Sequence, residues 1–154
     1  MENGRIVPME RRHLDELVQL EKICFSHPWS RDGLEEELGR PGSLFLVAEA
    51  PDGQVMGYVG CQYVLDEGYI TNVAVFPQYR RQGAAKALLE TLEQEGRRLG
   101  LSFLSLEVRE SNASAQNLYE KSGYRQEGRR KNFYTDPRED GLILTKRFKQ
   151  EEVR

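Results

Sequence analysis

The stretch from Asn72 to Leu89 constrains this chain more than any other. An apolar run, Val73–Phe76, ends at Pro77, which has no N–H to give to a strand ladder. Arg80, Arg81 and Gln82 follow. Gly83 then opens a stretch in which Ala85, Leu88, Leu89, Leu92 and Leu99 recur on one helical face. Gly100 stops that helix, and a second apolar strand, Phe103–Val108, comes next. A strand–helix–strand unit of this kind crosses over to a parallel neighbour, so the fold is α/β with a mixed sheet. The first turn of the helix has unpaired N–H groups and a partial positive charge. Gly83 lets a ligand approach the backbone closely, and the two arginines add charge and bidentate donors. A phosphate suits such a turn. On the residues alone, a plain connection carrying two solvated arginines is the simpler reading. Neither G-x-x-x-x-G-K-[ST] nor G-x-G-x-x-G occurs, which disfavours a nucleotide triphosphatase or a dehydrogenase.

The rest of the chain supplies the other elements. Leu14, Leu17, Val18, Leu20 and Ile23 predict an amphipathic helix over Glu10–Phe25, interrupted by His27-Pro28-Trp29. Ser30 is placed to cap a short second helix that ends at Gly39, Pro41 and Gly42. Strands are expected at Arg5–Pro8, Leu44–Ala50, Val55–Leu65 and Tyr69–Phe76, with turns at Pro51-Asp52-Gly53 and Asp66-Glu67-Gly68. After Phe103–Val108, Asn112 or Ser114 caps a helix running to Ser122, and two strands follow at Tyr124–Arg130 and Asp140–Phe148. About seven strands and four helices within 154 residues amount to a single domain spanning 1–154.

Composition removes several classes of function. The net charge of −3, with no basic-aromatic stripe, argues against a nucleic-acid binder. No apolar run approaches a membrane span, and Met1–Arg12 carries charges of both signs without an apolar core, so neither an anchor nor a secretory signal is expected. Cys24 and Cys61 lie far apart without ligand-spaced partners, so no metal site is expected and a reducing cytoplasm fits.

Three segments carry a resemblance. Arg80 to Ala85 reads as [QR]-x-x-G-x-[GA] between a V-A-V strand and A-L-L, with Ala85 where glycine is commoner. Leu106-Glu107-Val108-Arg109, Ser111-Asn112-Ala113-Ser114-Ala115 and Leu118-Tyr119-Glu120-Lys121-Ser122-Gly123-Tyr124 look like the L-E-V-R-x-S-N-x-x-A-x-x-L-Y-x-x-x-G-[FY] block of N-terminal acetyltransferases. Phe25-Ser26-His27-Pro28-Trp29-Ser30, with Arg130-Lys131-Asn132-Phe133-Tyr134 and Arg138-Glu139-Asp140-Gly141, is similar to F-x-x-P-W-[ST] and the tail of bacterial RimI-type proteins. The chain thus resembles the GNAT superfamily over nearly its whole length. The resemblance implies an acetyl-CoA co-substrate and acetylation of the N-terminal alanine of a small-subunit ribosomal protein by direct attack in a ternary complex. It assigns Val73, Ala74 and Val75 to the pantetheine arm, Arg81, Gln82, Gly83, Ala84, Ala85 and Lys86 to the pyrophosphate, and Arg80 and Asn112 to cofactor contacts.

An α-amino group, with pKa near 7.7–8.0, must lose a proton before it attacks, and a departing thiolate gains from a proton donor. The resemblance gives these tasks to Glu107 and Tyr119. By pattern alone Glu107 reads as a strand-edge charge, Tyr119 as packing beside Ala115 and Leu118, and Asn112 as an N-cap. The acids Asp32, Glu35, Glu36, Glu37, Asp66 and Glu67 are expected to flank the acceptor groove or, equally, to serve a helix dipole and solubility. A lysine or small-molecule amine as acceptor and a non-catalytic CoA sensor are the alternatives, and a monomer is expected.

Overall fold

The computed structural model describes residue 1 and residues 3–148. Seven strands form one sheet: β1 (Arg5–Pro8), β2 (Ser43–Glu49), β3 (Val55–Val64), β4 (Glu67–Val75), β5 (Phe103–Arg109), β6 (Arg125–Tyr134) and β7 (Glu139–Arg147). Their spatial order is β1-β2-β3-β4-β5-β7-β6. Neighbours are antiparallel except β4 and β5, the pair joined through a helix, which run parallel as the sequence requires. The four helices are α1 (Leu14–Cys24), α2 (Arg31–Glu36), α3 (Ala84–Arg98) and α4 (Ala113–Lys121). None is long and apolar enough to cross a membrane.

Period-two alternation divides the core between the two faces of the sheet. In β2, Phe45 and Val47 pack with Leu14, Leu17 and Leu20 of α1 and Leu34 of α2. Leu46 and Ala48 point the other way, into the cluster that holds Leu88, Leu89 and Leu92 of α3. At the sheet edge, β2 meets the turn before α1 through a buried carboxylate, Glu49. His13 Nδ1 accepts the Glu10 N–H at 2.9 Å, which leaves Nε2–H to donate to Glu49 Oε2 at 2.7 Å. Arg5 and Arg12 pair with the same carboxylate at 2.9 and 2.5 Å. These partners, the His13 hydrogen bond foremost, hold Glu49 at a pKa of about 2 despite its burial.

Two expectations change. The first helix opens as a 3₁₀ turn, Arg11–His13, before α1 begins. The β3–β4 turn consists of Leu65 and Asp66 alone, and Glu67 and Gly68 already belong to β4. Gly68 is there for packing rather than for a turn. A Cβ on it would meet Leu104 Cδ2 at 2.8 Å and Leu101 Cδ1 at 2.9 Å, so a larger residue would require those leucines to shift.

Candidate active site

The parallel ladder is short. β4 and β5 pair only through Glu67–Tyr69 with Phe103–Ser105, and beyond that point they diverge. The divergence begins beside a β-bulge. Asn72 lies opposite Gly60 and Ile70 opposite Cys61, so Thr71 is the extra residue. Val73, Ala74 and Val75 stay bonded to β3 on their other edge, opposite Val59, Tyr58 and Gly57. Their edge toward β5 therefore has no strand partner and can receive an extended ligand in the manner of an added strand.

Two cavities open along this gap, of about 430 and 400 Å³. The first contains the phosphate-type turn. Arg81 and Gly83 both have positive φ, 63° and 80°, and Gly83 is the N-cap of α3 without a side-chain cap. The first-turn amides of a fifteen-residue helix are thereby left for a ligand. Val73, Ala74, Val75, Arg80, Arg81, Gly83, Ala84, Ala85, Lys86 and Asn112 all line this cavity. Gln82 does not line it, because its Nε2 donates to the Gln78 carbonyl at 3.2 Å. Arg80 is tied back to the end of β4, donating from Nε to the Val75 carbonyl at 3.2 Å, with its guanidinium 3.6 Å from Cys24 Sγ. Asn112 caps α4, accepting the Ala115 N–H at 3.2 Å.

The second cavity is built from side chains. Glu107 lines it, about a third exposed, with the Arg130 guanidinium 3.1 Å away. Tyr134 closes the same space and is held there by Arg109, stacked 4.4 Å from the ring centroid. Arg109 in turn donates to the carbonyls of Pro137 and Thr135 at 2.9 and 3.0 Å, fixing the tip of the β6–β7 hairpin. Burial, and secondarily the Glu107 charge, raises the pKa of Tyr134. On the opposite wall, Phe25 and Ser26 belong to the loop after α1. His27 in that loop comes within 3.9 Å of Asp136 at the hairpin tip.

Tyr119 lies where the two cavities meet and lines both. No described residue bonds its hydroxyl, and burial pushes its pKa well above the ordinary phenol value, so it stays protonated. The arrangement provides an anion-binding turn at one end, a carboxylate at the other and a protonated phenol between them.

The acidic residues expected to flank an acceptor lie elsewhere. Glu35 pairs with Arg11, and Glu37 is buried, accepting from Gln62 Nε2 at 2.5 Å. Asp66 and Glu67 accept from the Ser102 and Tyr69 hydroxyls at 2.6 and 2.7 Å. None of the six acids lines either cavity. Arg130, by contrast, reads from the sequence as one of a solvated basic run. Its pairing with Glu107 crosses between two strands that both flank β7, which no local pattern reveals.

The splayed parallel pair and its glycine turn define a class. The profile of the Acetyltransferase (GNAT) family matches residues 14–124, and the chain belongs to that family. Among its relatives is the [ribosomal protein bS18]-alanine N-acetyltransferase of Escherichia coli K12, 37% identical over 141 residues, which are 90% of this chain and 94% of that one. The protein of the same name from Haemophilus influenzae is 35% identical over 142 residues, 90% and 95% of the two chains. The crystal structure of the E. coli ribosomal-protein-S18-alanine N-acetyltransferase superposes with a TM-score of 0.86 at 34% identity, covering 98% of this chain and 99% of that one.

Proposed function

We propose that this protein is an acetyl-CoA-dependent N-terminal acetyltransferase whose acceptor is the N-terminal alanine of a small-subunit ribosomal protein. The names of its relatives support that acceptor. The observation that carries the reading is the junction at Tyr119 between a cavity lined by backbone and one lined by Glu107 and Tyr134. The free edge of Val73–Val75 would hold an extended pantetheine arm, and the Arg81–Lys86 turn its pyrophosphate. Gln82 would take part through its backbone alone.

The acceptor amine enters from the second cavity. Glu107 takes its proton, and the amine nitrogen attacks the thioester carbonyl. The carbon–sulfur bond breaks, Tyr119 gives its proton to the departing sulfur, and the resulting phenolate takes the second proton from the acylated nitrogen to leave the neutral amide. Arg130 holds the Glu107 carboxylate in place for the incoming amine. Transfer is direct in this reading. Cys61 is buried and lines neither cavity. Cys24, which lines both, contacts the Val75 carbonyl and the Arg80 guanidinium but, among the described residues, no histidine or carboxylate that would activate it as a nucleophile. Mass spectrometry of acetyl-CoA reactions with peptides differing in N-terminal residue and internal lysine tests the proposal. Acetyl groups confined to the α-amine of alanine-initiated peptides are expected. Acetylation of internal lysines alone would overturn it.

A further inference from the structure

The molecule holds a second buried carboxylate that the reaction above does not use. Glu21 is 1% exposed, on the face of α1 that otherwise carries Leu14, Leu17 and Leu20. Its Oε1 accepts the Trp29 N–H at 2.8 Å. Its Oε2 accepts the Tyr58 hydroxyl at 2.7 Å and Asn72 Nδ2 at 3.3 Å, and Asn72 Nδ2 also donates to the Tyr58 oxygen. The Asn72 Oδ1 accepts from the Thr71 hydroxyl at 2.6 Å.

The bulge explains how Asn72 reaches Glu21. Ile70 packs on the α3 face, and strict alternation would send residue 72 the same way. The extra residue at Thr71 turns the Asn72 amide toward α1 instead. Gly60 makes room for it, since a Cβ there would lie 2.6 Å from Asn72 Oδ1.

Both walls of the second cavity therefore converge on one side chain. Phe25 and Ser26 precede Trp29, whose N–H Glu21 holds, and Thr71 and Asn72 are the bulge that Glu21 anchors. We infer that Glu21 is a positioning residue for the acceptor. It sets the distance between the loop wall and the bulge wall, and so the fit of the acceptor's first residue, and itself lines neither cavity. This rests on the reading of the second cavity as the acceptor site.

Glu21→Gln in the full chain is the test. With its oxygen on the Trp29 N–H, glutamine would turn an NH₂ against the NH₂ of Asn72, and two donors cannot pair. The acceptor KM should rise about 10-fold, with kcat within about 2-fold and acetyl-CoA affinity unchanged. Tyr58 lines neither cavity, and Tyr58→Phe removes one donor to Glu21 while keeping the ring. It should raise the acceptor KM in the same direction, with kcat and acetyl-CoA affinity kept. An unchanged KM in Glu21→Gln overturns the inference. So does a joint fall of kcat and acetyl-CoA affinity, because that marks general structural damage. Should Glu21→Gln not fold, the same split of KM from cofactor affinity in Tyr58→Phe decides the matter. A wild-type protein that acetylates no peptide removes the acceptor reading itself; an active wild type with an unaltered variant removes only the role of Glu21.

Discussion

The two halves of the cleft are built on different principles. The half containing Gly83 uses backbone: a free strand edge at Val73–Val75, a positive-φ turn and the first amides of α3. The half containing Glu107 uses side chains brought from five places, namely β5, the α1–α2 loop, the Thr71 bulge, α4 and the β6–β7 hairpin. A backbone-built site depends on small residues and on backbone angles that few residues adopt. A site built from side chains depends on the partners that hold each one, as Arg109 holds the hairpin and Glu21 the bulge.

The largest effect should come at the junction. Tyr119→Phe keeps the ring, which packs at 5.7 Å from Tyr124, and removes only the proton donor. The kcat should fall by about 10²-fold or more with acetyl-CoA affinity kept. Because the phenol is protonated across the working range, raising the pH should not restore the lost rate. Glu107→Gln should differ in that respect. Its loss at pH 7 should shrink above pH ~8, where the amine sheds its own proton. Equal pH behaviour in the two variants would leave the acid and base roles unassigned to these residues.

Next in size is the backbone half. Acetyl-CoA at 100 times its Kd stabilises a folded binder by about 2.7 kcal/mol, or roughly 5–10 °C in Tm for a chain of this size. Gly83→Asp should abolish that shift. Aspartate disfavours the +80° φ and puts a negative charge at the first turn of α3, where a phosphate would lie. A shift equal to that of the wild type would remove phosphate binding from this turn.

The same contrast explains what could be read in advance. The seven strands, the parallel β4–β5 pair and the α3 turn follow from local signals: alternation, a proline stop, a glycine at a helix start. The glycine at 68 misled, because its reason is a packing contact with Leu101 and Leu104, remote in sequence. In the side-chain half the sequence pointed to Glu107 and Tyr119, and the structure brings both to the second cavity. Arg130 opposite Glu107, and the Glu21–Tyr58–Asn72 group, join residues 14 to 51 positions apart. One signal was nevertheless present: a glutamate at position 21 on an otherwise apolar helical face, and an asparagine leading a V-A-V strand.

Glu49 offers a control outside both halves. Its carboxyl is held at about 2, below the ~4.3 of an unfolded glutamate. The stability it contributes is therefore complete above pH ~4.3 and is lost as the pH falls toward 2. Glu49→Gln should flatten the acid limb of the unfolding curve and cost about 1–3 kcal/mol at pH 7. The kcat and KM of the folded fraction should be unchanged, since Glu49 lines neither cavity. A selective rise in the acceptor KM would mean that the edge of β2 communicates with the side-chain half of the cleft.

The smallest effect concerns α2. If its acids read a basic acceptor, kcat/KM for a basic peptide should fall steeply between 0.1 and 1 M salt, as the Debye length drops from ~10 to ~3 Å. Neutralising an acid should then flatten that fall. Glu37 is buried and Glu35 is engaged with Arg11, which leaves Asp32 and Glu36 as the exposed acids of α2 without an ion pair among the described residues. Neither lines a cavity, whereas at the second cavity Glu107 is paired with Arg130 and Arg109 with Glu139, so the charges there offset in pairs. Glu36→Gln should therefore leave the salt dependence of kcat/KM within about 2-fold of wild type for basic and neutral peptides alike. A flattened slope for the basic peptide alone would show that the acceptor chain runs on from the second cavity across α2. The first residue of the substrate would then no longer be the whole basis of its recognition.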